Sequence, residues 1–448
     1  MNDMFTMFAL AMRSIRQRPG RFAATLFSSF LGALIIMTFN SMHDTAAGAG
    51  VDSTSSETLT IAASVVGGYG SLLVFFAVAS TLTVAVRQRS EEIGLLRTTG
   101  ATPAQIKRMI VGEAFVVALL GAALAVVPAM FAGRRLLELF QDSGSVAASV
   151  EHSFGPIALT TGFDITLLAA VGAAFLAVRR AGRPTAKQPG RARTFFAYAA
   201  LVAGCASLAS TSAFAGDAEM LMAPPAYGAI LLSVGCALLS TRILPVVLTV
   251  LEGPINALAG AGGYLTLRNM RQRAAQLSNV LMPLILFTGV AVATLYMQGV
   301  ENDAVKASGL VKAADAKTLE TLNYGVVGII VAFCCIMLIN TLYAATSYRV
   351  REFGQQRLAG ATPGQVLAMV GAESAVLTVT GVALGSLAGF AGILAFTSAR
   401  TDRMLPGQGL GIWLAVVGIA AAVTIGTSMG TAWRQLRTPA VDAVAVAA

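Results

Sequence analysis

The chain has 448 residues, of which 56% are hydrophobic and 12% are charged, and its formal net charge is +9. So few charged residues cannot cover a water-soluble protein of this size, and the composition therefore excludes a soluble globular protein. Attraction to anionic lipid headgroups accounts for the basic balance, so we expect a lipid bilayer as a partner and no nucleic acid.

Ten apolar runs come close to the roughly 20 residues that a helix needs to cross a bilayer. Because helices satisfy their own backbone hydrogen bonds in lipid, and no barrel-like alternation is visible, the sequence predicts an all-α integral membrane protein. In chain order the predicted spans are Phe22–Met42, Ile61–Val86, Ile110–Phe131, Phe163–Val178, Phe195–Ala215, Ala226–Leu251, Leu277–Met297, Tyr324–Ser347, Leu367–Phe396 and Leu410–Ser428. The fourth is the shortest.

Lysine and arginine divide unevenly between the two sets of connections. With both termini in the cytoplasm, 24 of the 31 Lys and Arg residues face inward and 7 face outward. Basic residues near spans favour the cytoplasmic side. We therefore expect a multi-pass protein of the cytoplasmic membrane with both termini inside the cell.

A charged segment between the second and third spans occurs again between the eighth and ninth. The first copy runs from Arg87 to Glu113 and the second from Arg349 to Glu373, and the two align at an offset of 260 from Gly94 onward. The basic residues 12–18, before the first span, recur as residues 267–273, before the seventh. The repeated unit is therefore larger than the charged segment, and each repeat has four spans. Because four is an even number, both repeats enter the membrane from the same side, which predicts two parallel four-helix repeats. The predicted organisation is a first repeat at 1–186, a two-helix linker at 187–252 and a second repeat at 253–448.

Each copy contains the signals of a tight helix–turn–helix elbow. Glycine favours the left-handed conformation that ends a helix, and Thr-Pro followed by Gln favours a capped helix start. The first elbow (residues 89–105) carries these signals at Gly100, Thr102, Pro103 and Gln105, and the second elbow (residues 349–365) at Gly360, Thr362, Pro363 and Gln365.

The first elbow mixes charge with apolar side chains. Ile93, Leu95 and Leu96 form an apolar patch among Glu91, Glu92 and Arg97. Such a short helix at the membrane surface suits a groove on a soluble partner. The alternative is a solvated turn whose charges only keep the neighbouring span in register. The presence of two matching copies favours the partner surface.

Glu113 and Glu373 are equivalent acidic residues near the start of the following spans. An ionisable group is costly there and usually faces protein or water. Two interpretations stay open, a polar bundle contact that ties each elbow to the helices, or a carboxylate that reaches the inner interface.

The lysines argue against ATP binding by this chain. A Walker A motif needs glycine immediately before lysine, and Lys107, Lys187, Lys306, Lys312 and Lys317 all lack it. Any ATP-driven role therefore requires a separate subunit that binds ATP and Mg²⁺. We expect this chain to be no enzyme, with no catalytic residue, no metal site and no cofactor of its own. The Gly-x-x-x-Gly patterns Gly381–Gly385 and Gly426–Gly430 indicate close helix packing.

The run from Glu92 to Pro103, with Glu113 and Gly121 downstream, resembles the FtsX-like permease family of ABC systems, which includes MacB, LolC/LolE and BceB-type permeases. The resemblance covers both repeats, although the second elbow has Phe353, Gln355 and Gln356 where the first has Ile93, Leu95 and Leu96. The ten-span layout is most similar to BceB-type, or type VII, permeases. The chain lacks the large domain that MacB and LolC/LolE carry after the first span, and the one that BceB carries between the seventh and eighth.

The resemblance implies that a cytoplasmic ABC ATPase dimer docks on the elbows, so that one chain serves two ATPase copies. The residues expected to couple to the ATPase are Arg89, Glu91, Glu92, Gly94, Leu95, Arg97, Gly100, Thr102, Pro103, Arg349, Glu352, Gly354, Arg357, Gly360, Thr362 and Pro363.

Two functions follow from these expectations. The first is a permease subunit that exports or extracts an amphiphilic or hydrophobic substrate, such as an antibiotic or antimicrobial peptide, and so contributes to antibiotic resistance. The alternative is a mechanotransmission protein that transports nothing and regulates a cell-wall hydrolase or a sensor kinase. An ion-coupled transporter is disfavoured, because no acidic residue lies near the centre of a predicted span.

Overall fold

A computed structural model of the chain describes residues 19–67, 90–142, 144–181, 191–214, 221–253, 266–308, 349–401 and 403–445, with isolated positions within 71–82 and 328–347. These residues form helices, turns and loops, and no strand occurs among them. The helices are α1 (Pro19–Ala46), α2 (Ser53–Ala62), α3 (Ser90–Thr98), α4 (Pro103–Asp142), α5 (Pro156–Ala181), α6 (Arg191–Ser210), α7 (Ala223–Val250), α8 (Ala274–Ser308), α9 (Val350–Leu358), α10 (Pro363–Arg400), α11 (Gly411–Leu436) and α12 (Ala440–Ala445).

Eight helices of the described part are long and apolar enough to cross a membrane. They are α1, α4, α5, α6, α7, α8, α10 and α11, and each overlaps a predicted span. The prediction of an all-α membrane protein is confirmed. The predicted second and eighth spans, Ile61–Val86 and Tyr324–Ser347, fall largely on residues outside the described part of the chain.

The two helices that follow the elbows are the longest. α4 has 40 residues and α10 has 38, which at 1.5 Å per residue gives each a length of about 60 Å. The hydrocarbon core of a bilayer is only about 30 Å thick. Both helices are therefore about twice as long as that core is thick, and α4 includes the Arg135–Glu138 ion pair in a region that the sequence assigned to a connection.

In the first compact unit, which contains α1 to α5, helix α1 packs against α4 and α5. Small residues allow the close approach of α1 and α4, and a Cβ at Gly121 would lie 2.9 Å from the backbone nitrogen of Phe30. Asp44 is buried near the end of α1. Its carboxylate accepts hydrogen bonds from the first backbone N–H groups of α5, Ile157 at 3.0 Å and Ala158 at 2.8 Å. This carboxylate satisfies the donors at the α5 N-terminus and fixes α5 on α1.

The second compact unit contains α6 to α12, apart from the first residue of α7 and the last turns of α8. Helix α8 is the most buried of the candidate spans. It crosses α10 at Gly385, where a Cβ would lie 2.7 Å from the carbonyl oxygen of Ile285, and it meets α7 at Gly289. Helix α7 also packs on α6 through Gly204 and Gly235. The two helices of the predicted linker therefore pack within this second unit.

Equivalent residues of the sequence repeat make the same helix crossing in each unit. Gly121 of α4 meets Ser29 of α1, and Gly381 of α10 meets Leu284 of α8. Gly385 packs closely as its Gly-x-x-x-Gly pattern predicts, whereas a Cβ at Gly426 or Gly430 would meet nothing within 4 Å. The pattern thus marks close packing at Gly381–Gly385 and an open helix face at Gly426–Gly430.

Candidate functional site

The two elbows fold in the same way. In the first, α3 ends at Thr98 and α4 begins at Pro103, and in the second, α9 ends at Leu358 and α10 begins at Pro363. Backbone bonds close each turn, from Ala101 N to Leu96 O at 2.9 Å and from Ala361 N to Gln356 O at 3.0 Å. Each bond spans six residues in the pattern that ends a helix with a left-handed glycine.

A capping box starts the long helix after each turn. In the first elbow, the Thr102 backbone N–H donates to Gln105 Oε1 at 2.9 Å, and the Gln105 N–H donates to Thr102 Oγ1 at 3.3 Å. In the second, Thr362 and Gln365 make the same two bonds at the same distances. Proline follows each threonine at the first helical position, where its missing N–H costs nothing. The sequence signals therefore give the predicted tight turn in both copies, with four residues between the two helices of each elbow.

Alanine at the turn glycines should loosen the elbows. Gly100 has a φ of +94° and Gly360 a φ of +97°, a conformation that costs an L-residue about 1–2 kcal/mol. We expect Gly100→Ala and Gly360→Ala each to lower the free energy of unfolding by about 1 kcal/mol, measured by denaturant unfolding in detergent micelles. Gly364→Ala is the control, because that helical glycine has open space around it and alanine favours the helix there. Equal effects at all three positions would contradict the turn geometry.

The first elbow presents one apolar residue to its surroundings and buries another. Leu95 is 67% exposed, and a Cβ at Gly94 would meet nothing within 4 Å, while Ile93 is buried. Of the predicted apolar patch, Leu95 is thus the most exposed part. Arg89 lies outside the described residues, as do the side chains of Glu91, Glu92 and Arg97.

The second elbow is anchored by an apolar residue of α9. Phe353 is 1% exposed and packs with Val366 and Val370 of α10 and with Ala432 and Leu436 of α11. Gln355, the counterpart of Leu95, is exposed on the opposite side. The elbow helix therefore joins the ends of two long helices on one face and leaves another face open.

Alternating charges link the second elbow to the helices beside it. Arg273 Nη1 lies 2.7 Å from Glu352 Oε1, Arg349 Nε lies 3.1 Å from Glu352 Oε2, and Arg349 Nη1 lies 2.9 Å from Glu373 Oε2. We call these four residues the ionic chain. Arg273 lies just before α8, Arg349 and Glu352 lie at the start of α9, and Glu373 lies in the first half of α10.

Burial and neighbouring charge act against each other in the ionic chain. Burial would lower the pKa of Arg349, but the Glu373 and Glu352 carboxylates outweigh it and raise that pKa above its ordinary value. Burial and the nearby Arg349 lower the pKa of Arg273, against the opposite effect of Glu352 and Glu373. Since arginine stays charged at any physiological pH, the ionic chain remains a set of paired charges.

Several residues that were predicted to contact the ATPase or the helix bundle are buried or make contacts within this polypeptide. Glu373 is buried and paired with Arg349, and Glu113 is also buried. Arg357 Nη1 donates to the carbonyl oxygens of Leu436 at 3.1 Å and Thr438 at 2.7 Å. Gly354 is packed against α12.

Sequence reasoning missed Arg273 and α12 as parts of this site. Arg273 closes the basic segment that repeats residues 12–18, so the repeat itself carried a signal for it. No comparable signal marked α12, a short helix of small residues whose role depends on the fold.

A protein-family model matches the parts of the chain that contain the two elbows. The family model described as FtsX-like permease C-terminal matches residues 64–186 and again residues 324–440, which together are more than half of the chain. Each match contains one elbow and the long helix after it. A search of curated proteins finds no match. The chain is therefore a multi-pass membrane protein that belongs to the FtsX-like permease family.

Proposed function

We propose that the chain is the permease subunit of an ABC transporter, on which a separate cytoplasmic ATPase dimer docks. The observation that carries the proposal is the pair of elbows, built alike and each placed at the head of a helix about 60 Å long. Each elbow has exposed residues at equivalent positions, Leu95 and Gln355. One polypeptide then offers two docking sites, which fits two ATPase copies per permease, and ATP and Mg²⁺ belong to those copies.

The proposed topology has ten spans in two parallel four-helix repeats, joined by α6 and α7. Both termini and both elbows lie in the cytoplasm, where the basic residues concentrate. Two of the ten spans correspond to Ile61–Val86 and Tyr324–Ser347 in the sequence. The coupling residues are those assigned from the sequence, among which Gly354 and Arg357 act through their contacts with α12 and the end of α11. Glu113 and Glu373 are the bundle contacts of the two elbows.

The contacts of the second elbow suggest how motion reaches the membrane helices. ATP-driven closure of the ATPase dimer would displace α9, whose Phe353 is locked into a core shared with α10 and α11. The ionic chain adds a link to the segment before α8. Because packed interiors are stiff, a displacement of α9 is passed to these helices as a movement of whole elements.

The proposed substrate is amphiphilic or hydrophobic, such as an antibiotic or antimicrobial peptide taken from the membrane. Exposed apolar side chains occur along α4, α6 and α11, so the described helices offer surfaces for molecules that partition into lipid. The connections described over 144–155 and 403–410 are short, which suits a substrate that arrives through the bilayer.

Charge reversal in the first elbow tests the docking. We expect Glu92→Lys with Arg97→Glu to abolish permease-stimulated ATP hydrolysis by an ATPase with Walker motifs encoded beside this chain, while membrane insertion stays normal. Arg135→Glu with Glu138→Arg is the control, since it reverses an exposed ion pair at the end of α4 far from the elbow. Unchanged stimulation by the elbow variant, or equal loss in the control, would refute the docking assignment.

A further inference from the structure

The chain folds back over the second elbow after its last long helix. α11 ends at Leu436, and α12 starts four residues later and lies against α9. A Cβ at Gly354 of α9 would lie 3.0 Å from Ala443 Cβ and 3.1 Å from the carbonyl oxygen of Ala440. A side chain at this position would require α12 to shift by a few tenths of an ångström.

The equivalent glycine of the first elbow makes no such contact with the described residues. A Cβ at Gly94 would meet none of their atoms within 4 Å, although Gly94 and Gly354 occupy the same position of the repeat. In the described part of the chain, the close glycine contact therefore occurs at the second elbow alone, between α9 and α12.

Arg357 makes a second attachment, to the end of α11. Its guanidinium donates to the carbonyl oxygens of Leu436 and Thr438. The last carbonyls of a helix have no partner within the helix and carry the negative end of its dipole. A fixed cation there both satisfies these acceptors and offsets their charge.

A third attachment is apolar. Phe353 of α9 is buried against Ala432 and Leu436 of α11. The three attachments come from one side of a nine-residue helix and hold it at three successive points, which leaves little freedom for α9 to pivot on α11.

We propose that α9, α12 and the end of α11 form a rigid joint, so that the second elbow and α11 move as one body. This inference rests on the proposed function, because it makes α11 the helix that receives the motion of the second elbow. Arg357 and Gly354 act in it as positioning residues.

A disulfide tests whether the joint has to stay closed. We expect Gly354→Cys with Ala443→Cys, in a chain with Cys205, Cys236, Cys334 and Cys335 replaced by serine, to cross-link under mild oxidation. Disulfide Cβ atoms lie about 3.8 Å apart, so the positions need only a small adjustment. The oxidised permease should stimulate the ATPase as well as the reduced one does. Failure of the disulfide to form, or loss of stimulation that reductant restores, would overturn the joint.

Replacement of Arg357 tests whether the joint transmits the motion of the second elbow to α11. We expect Arg357→Gln to reduce ATPase stimulation about tenfold, the order of a lost charge-assisted hydrogen bond, while the ATPase still co-purifies. The Gly354–Ala443 disulfide should restore stimulation to this variant, which a loss of folding would not allow. Full stimulation by Arg357→Gln, or no rescue by the disulfide, would contradict the proposal.

Spin labels on the permease alone separate the joint from the docking. Labels on cysteines introduced for Gln355 and Arg434, in the same serine background, should give a narrow distance distribution that Arg357→Gln broadens. A broad distribution in the parent chain would refute the joint, whether or not an ATPase docks on the elbow. A narrow distribution together with absence of ATPase binding would instead refute the proposed function.

Discussion

Replacement of Arg349 by methionine should destabilise the second unit by about 3–5 kcal/mol, the usual cost of removing one partner of a buried ion pair. The side chains of Arg349 and Glu373 are 12% and 5% exposed. Without the guanidinium, the Glu373 carboxylate would stay buried without its nearest cation, and Glu352 would lose one of its two arginines. Unfolding titrations in mixed micelles measure this loss directly.

An exposed ion pair of the same unit serves as the control. Arg271 pairs with Glu252, with side chains 36% and 35% exposed, and Arg271→Met should cost less than about 1 kcal/mol. Arg349→Lys should recover only part of the stability, because an ammonium cannot hold two carboxylates with a planar fork. Similar losses of stability for Arg271→Met and Arg349→Met would show that the ionic chain stabilises the unit no more than an exposed ion pair does.

Alanine at Gly385 should destabilise the crossing of α8 and α10 by about 2–3 kcal/mol. A single added methyl would lie 2.7 Å from the carbonyl oxygen of Ile285 and 2.9 Å from the backbone nitrogen of Gly289. Neither atom is the end of a flexible side chain, so the two helices would have to separate. Thermal unfolding in detergent measures the effect, and it is monitored as the loss of the monodisperse peak in size-exclusion chromatography.

The same substitution at Gly430 should have the opposite effect on stability. This glycine has open space around it, so Gly430→Ala is expected to raise stability by up to about 1 kcal/mol through helix propensity. A destabilisation at Gly430 as large as that at Gly385 would mean that packing around these glycines differs from the structure described.

Much of the elbow geometry could be predicted from local sequence. Gly100, Thr102 and Gln105, and their counterparts at an offset of 260, define a turn through short-range hydrogen bonds, and these bonds are present in both copies. The eight spans in the described part of the chain were equally accessible, because length and hydropathy indicate them. Predicted boundaries fell short for α4 and α10, since polar residues continue a helix beyond the lipid when local pairs such as Arg135–Glu138 support it.

Tertiary contacts explain what the sequence did not reveal. Gly94 and Gly354 align in the repeat, yet a Cβ at Gly94 would meet no described atom within 4 Å, whereas Gly354 packs against α12. Arg357 was predicted to serve a partner, and the structure has it bonded to carbonyl oxygens at the end of α11. Such differences depend on which segment folds back over an elbow, and a pattern within the elbow does not contain that information.

Site-specific photo-cross-linking from the elbows tests the central claim most directly. A photoreactive amino acid placed at Leu95 or at Gln355, the exposed equivalent positions of the two elbows, should form an adduct with the ATPase in the assembled complex. The same group at Leu139, exposed near the far end of α4, should form none. Adducts from both elbows and none from Leu139 are the predicted result, whereas an ATPase that co-purifies with the permease but is cross-linked from neither elbow would contradict the account.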